Sequence, residues 1–125
     1  MPSPATIYGG ALTIDAIQKL GGSLPVNIPA SGAIDPHTAN RYMITKAGVA
    51  AMTLAAPTAG ADDGLVLEIL SSTAFAHTVT ATGLFVDGAG HVNVATFPAA
   101  GGGAIDLVAF NGKWIVQNSQ NVAVT

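Results

Sequence analysis

The chain has 125 residues, 9% of them charged and 50% hydrophobic, with a formal net charge of −3 and no cysteine. That length fits one domain around one core, and the lack of cysteine excludes a disulfide framework and thiolate metal ligation. The four basic residues, Lys19, Arg41, Lys46 and Lys113, are scattered along the chain, which argues against a nucleic-acid partner because binding a phosphate backbone needs clustered Lys and Arg.

Charged residues make up about 25% of an average soluble domain, so this chain is strongly depleted in them. A subunit that covers its faces with neighbours needs less surface charge than a monomer, and self-association is the expectation. Every hydrophobic run is cut by Gly, Pro, Asp or Thr within a few residues, too soon to span a bilayer. The opening Met-Pro-Ser-Pro-Ala-Thr lacks the basic and apolar regions of a secretory signal, so nothing there marks the chain for export.

In chain order, Pro2, Pro4, Pro25, Pro29 and Pro36 punctuate residues 1–40, which read as an extended N-terminal arm. Thr13–Leu20 predicts a short helix with Ile14, Ile17 and Leu20 on one side, ending at Gly21-Gly22. A helix this short does not stand alone, so its apolar stripe needs a surface. Ser23–Ser31 reads as extended, because the residues before Pro25 and Pro29 are pushed toward β or polyproline conformations. Asp35-Pro36 reads as a cap or turn start.

From Arg41 to Thr125 the chain becomes short β-branched runs between turn residues, the pattern of an all-β domain, an antiparallel β-sandwich, jelly-roll-like, or a β-barrel. Strands are expected near 41–46, 51–55, 65–71, 77–82, 92–97, 105–110, 113–118 and 122–125. Asn111-Gly112 predicts a two-residue hairpin. Alternation places His77, Val79 and Ala81 on one face and Thr78, Thr80 and Thr82 on the other. Leu65–Leu70 is apolar on both faces except at Glu68, as a central strand would be. Trp114, Val116 and Asn118 share a face, and Trp114, the only indole, is expected to anchor the core or a subunit contact. Phe97–Ala104 reads as an Ala/Gly-rich loop.

The residues that carry chemistry favour no catalytic reading. His37, His77 and His91, with Asp62, Asp63 or Asp87 as helpers, match no metal-binding spacing. The Asp-rich turns lack the alternating acidic ligands of a calcium loop. Glu68 and Asp106 are the only carboxylates inside predicted strands, and glycoside hydrolysis would require them to converge at a suitable separation. There is no Gly-x-Ser-x-Gly elbow, and Gly101-Gly102-Gly103 lacks the Lys-Ser/Thr of a phosphate loop. No enzyme activity, cofactor, metal or small-molecule substrate is expected. Aromatic residues, 6% of the chain, are too sparse for a base-stacking platform.

Tyr42-Met-Ile-Thr-Lys-Ala-Gly-Val-Ala-Ala-Met-Thr-Leu-Ala-Ala-Pro57, followed by Asp62-Asp-Gly64, Ala76-His-Thr-Val-Thr-Ala81 and Gly112-Lys-Trp114, resembles small virion proteins of tailed bacteriophages, head decoration or cement proteins above all. The likeness covers about the last two-thirds of the chain. It implies a β-sandwich or barrel subunit made in the bacterial host cytoplasm and bound, commonly as a homotrimer, to the capsid exterior across major capsid protein subunits. The arm's Ile7, Tyr8, Leu12, Ile14, Ile17 and Leu20, and Trp114 in the body, are then the expected capsid or subunit contacts. Similar β modules occur in phage fibres, and the alternative is a tail-fibre or head-fibre module that binds a host-surface glycan through loops such as Asp87–His91 and Phe97–Gly103.

Overall fold

Period-two runs from Arg41 onward form strands where the alternation places them, and shorter strands join them. The computed structural model describes residues 24–125, with eleven strands and no helix among them. They are β1 (Val26–Ile28), β2 (Gly32–Ile34), β3 (Arg41–Ile44), β4 (Ala51–Leu54), β5 (Val66–Ser71), β6 (Thr78–Thr80), β7 (Phe85–Val86), β8 (Val94–Thr96), β9 (Ala104–Phe110), β10 (Lys113–Gln120) and β11 (Ala123–Val124). The eight expected strands match β3–β6 and β8–β11. Three strands were not expected: β1 and β2, which lie in the stretch before Arg41, and β7. The helix expected at Thr13–Leu20 lies outside the described residues.

Two sheets pack on one core. The first has the order β1-β3-β5-β9-β10-β7 and the second β11-β8-β6-β4-β2. Successive strands from β1 to β6 alternate between the sheets, and β1-β3-β5 and β2-β4-β6 each pair in parallel. The chain therefore winds as a flattened coil of three turns, with each strand of one sheet serving as the crossover that parallel neighbours in the other sheet require. β8 to β11 then pair antiparallel with what precedes them, and β7 lies parallel to β10. This corrects the antiparallel expectation: the sheets are mixed, five of the nine ladders being parallel, and neither closes into a barrel.

The core between the sheets holds Ile44, Met52, Leu67, Ile69, Val79, Phe85, Phe97, Ile105, Leu107 and Trp114, all essentially without solvent contact. Each such side chain stabilises the fold by roughly 1.5–3 kcal/mol through removal from water. Trp114 is a core residue, and its Nε1–H donates to the Ala55 carbonyl at 3.0 Å. The hairpin expected at Asn111-Gly112 is present, with positive φ at both residues, 52° and 77°, as a primed turn requires. One alternation fails. A register shift between Val116 and Asn118 pairs Asn118 with Asp106, so Asn118 leaves the face of Trp114 and Val116 and joins the outward one, as a β-bulge dictates.

Candidate interaction surface

Core residues at alternate positions of each strand turn the intervening side chains outward, and cross-strand register groups these into rows. On the first sheet one row runs Val66–Val108–Ile115–Val86, the next Arg41–Glu68–Asp106–Asn118, and a third Asn27–Met43–Leu70–Ala104–Gln120. Phe110 and Lys113 face each other at the hairpin end. Val66, Val86 and Phe110 are well exposed, at 45%, 44% and 57%, which makes this outer face apolar on both sides of a single charged row.

Within that row the Arg41 guanidinium meets Glu68 through Nε–Oε1 at 2.6 Å, both side chains about a third exposed or less. Glu68 and Asp106 are direct cross-strand partners. Partial burial holds the Glu68 carboxyl above its ordinary value, and the hydrogen bond with Asp106 and that residue's negative charge act in the same direction, partly offset by Arg41. The sequence flagged Glu68 and Asp106 as the pair that glycoside hydrolysis would need, and the fold does bring them together. They stand directly opposite each other on neighbouring antiparallel strands, with Arg41 on the other side of Glu68.

The outward rows of the second sheet are Ala51–Thr78–Thr96–Ala123 and Ala33–Thr53–Thr80–Val94. They carry no charged side chain. Thr78 and Thr80 face outward, as alternation predicts, opposite buried His77, Val79 and Ala81.

The histidines do not gather. His37 Nε2 meets Asp62 Oδ1 at 3.0 Å, and His37 Nδ1 lies 3.5 Å from Asp35 Oδ1; the hydrogen bond to Asp62 raises its pKa. His91 Nδ1 meets Asp87 Oδ2 at 2.9 Å. His77 is fully buried between Ala50, whose N–H donates to Nδ1 at 3.0 Å, and Thr73 Oγ1, 2.8 Å from Nε2. The backbone donor at Nδ1 puts the ring proton on Nε2, and burial lowers its pKa. Among the described residues no three His, Cys, Asp or Glu side chains are grouped to hold a metal.

The turn carboxylates serve backbone amides. Asp62 Oδ2 accepts from Thr58 N–H at 2.7 Å, Asp63 Oδ1 from Gly60 and Asn111 at 3.1 and 2.8 Å, and Asp87 Oδ1 from Ala89 and His91 at 2.8 and 3.2 Å. These bonds account for the aspartates as turn chemistry, and they hold Asp62 and Asp87 below the usual carboxylate range. Gly101 closes a turn on Pro98 by an N–H to carbonyl bond of 3.0 Å, while Gly103 is buried against Phe97, Pro98 and Val122.

Of the contacts expected from sequence, Trp114 lies inside the core, whereas Ile7, Tyr8, Leu12, Ile14, Ile17 and Leu20 lie outside the described residues. The sequence marked Leu65–Leu70 as apolar on both faces, but the continuation of that outward row through Val108, Ile115 and Val86 was missed. Val66 and Val108 were already in predicted strands, so the signal was present as β-branched residues at non-core alternation positions. Among the described residues no helix is long and apolar enough to cross a membrane. A scan against protein-family models finds no match, and a search of curated proteins finds no similar sequence.

Proposed function

We propose that this protein is a structural virion component that decorates a tailed-phage capsid, binding its exterior as a homotrimer across major capsid protein subunits. The observation that carries the reading is the scarcity of charge on both outward sheet faces, where Arg41, Glu68, Asp106 and Lys113 are the charged members and Asn27, Asn118 and Gln120 the amides among rows of Val, Ile, Leu, Met, Ala and Thr. Surfaces of this kind suit burial against protein neighbours. The phage-like phrases fall on β3–β4, the turn after them, β6 and the terminal hairpin, and support the same reading. The body serves as a jelly-roll-like two-layer module, although its coiled connectivity is its own, and the segment ahead of Leu24 serves as the arm through Ile7, Tyr8, Leu12, Ile14, Ile17 and Leu20.

Each bound copy stabilises an assembled shell by mass action, and an extended arm reaches farther per residue than a helix. Deleting residues 1–23 removes the arm while sparing β1 and β2. The shortened protein is expected to keep a cooperative thermal unfolding transition and lose co-sedimentation with undecorated capsids; undiminished binding refutes the arm's role. Electron microscopy of the virion tests the placement, and density for this chain at the tail alone transfers it to the fibre reading with a glycan partner.

A further inference from the structure

We infer that the outer face of the first sheet is where one copy of this chain meets another, with Arg41 of one copy set against Asp106 of the next. The inference rests on the self-association in the reading above and assigns it a surface. Four observations on the face converge.

Its side chains are apolar where a solvated sheet face would be polar. Val66, Val108, Ile115 and Val86 form an unbroken row across four strands, and Met43, Leu70 and Ala104 a second. An antiparallel or mixed sheet that faces water normally alternates apolar-in with polar-out.

The charged row is polar in order. Read across the sheet it runs Arg41, Glu68, Asp106, Asn118, positive at the β3 side and negative toward β9. Copies arranged about an axis parallel to the strands bring the β3 side of one sheet to the β9 side of the next. Arg41 then meets Asp106 with opposite sign, and the apolar rows above and below meet apolar rows. A partner of uniform charge would match only part of the row. A second copy related by a two-fold axis through β5 sets Arg41 against Asp106 twice, with the two Glu68 carboxyls facing each other at the axis.

The extent of the face is sufficient. Six strands at about 4.8 Å and rows spanning about 20 Å give roughly 500 Å² of flat area per copy, the same order as the ~800 Å² of accessible surface that each partner contributes to a standard interface. Finally, the few charges that the face does hold are already partly desolvated by their neighbours, so covering them costs less than covering fully hydrated ones.

The test is the solution mass of the full chain by light scattering at about 100 µM, a concentration that saturates a micromolar contact and leaves a millimolar one mostly dissociated. The wild type is expected to be multimeric. The double variant Val66→Lys and Val86→Lys, at exposed positions that leave the core untouched, is expected to run as a monomer with an unchanged melting curve, whereas Val49→Lys with Phe75→Lys, off this face, retains the multimer. Arg41→Asp is expected to shift the mass toward monomer, and adding Asp106→Arg to restore it. Should the first double variant lose its fold, this charge reversal decides. A monomeric wild type, a multimer that survives Val66→Lys and Val86→Lys, or a double reversal that fails to recover the mass overturns the inference. The decoration reading is judged separately, by where the chain sits in the particle.

Discussion

His77 shows how one buried polar side chain ties distant segments together. Its ring, which has no solvent contact, closes the gap between Ala50, just before β4, and Thr73, after β5, by two hydrogen bonds. A charged ring would lose its acceptor nitrogen and repel the Ala50 N–H, and burial already disfavours that form. The folded pKa therefore lies below the ordinary value of 6.5, so the unfolded chain binds more protons as pH drops through that value and stability falls with it, the loss continuing until folded His77 also protonates. Glu68 shifts in the opposite direction, and comparison with a variant isolates the histidine. Urea unfolding at about pH 7.5 and about pH 5.5 should show a larger loss at the lower pH for the wild type than for His77→Gln, whose slope lacks this contribution.

Among the elements, the terminal hairpin and the coil illustrate what local chemistry specifies and what it does not. Asn111-Gly112 is readable because only residues that tolerate positive φ fit a primed turn. Gly112 holds φ at 77°, with nothing within 3.8 Å of where a Cβ would stand, so Gly112→Ala is expected to cost about 1 kcal/mol from backbone conformation alone. At Gly103 the reason is space: a Cβ would lie 2.7 Å from Pro98 Cδ and 3.0 Å from Phe97 and Val122 side-chain carbons. Gly103→Ala should cost about 1–3 kcal/mol by overpacking. Denaturant midpoints check both, and a larger loss at Gly112 than at Gly103 would contradict the assignment. The coil was hidden because its turns are unequal. Val26 pairs with Tyr42, and Tyr42 with Ile69, so successive turns of the first sheet span 16 and 27 residues and leave no period in the sequence. β1, β2 and β7, at two or three residues each, are too short to display alternation.

For the whole molecule, the scarcity of charge becomes a statement about placement. The aspartates of the turns are occupied by backbone amides, and one row on one sheet holds most of the charge that the faces carry. Within it Glu68 faces Arg41 and Asp106 on the neighbouring strands, with neutral Asn118 beyond. Covering the row with a second copy removes more solvent from a carboxyl whose proton is already favoured, so association takes up protons and tightens as pH falls. Sedimentation velocity is expected to show the multimer gaining at about pH 5 relative to about pH 8, and Glu68→Gln to keep the multimer while flattening that dependence. A pH-independent wild type would sever the link between Glu68 and assembly.

The positions of β3–β6 and β8–β11, the hairpin turn, the inward set around Val79 and the shortage of charge were legible in the sequence, because alternation, turn chemistry and composition are local or additive properties. Strand direction, the two-sheet coil, the meeting of Glu68 with Asp106, the outward turn of Asn118 and the burial of Trp114 were decided by tertiary structure. Each depends on register between segments far apart in the chain, and a shift of one residue in that register would exchange every inward side chain for an outward one.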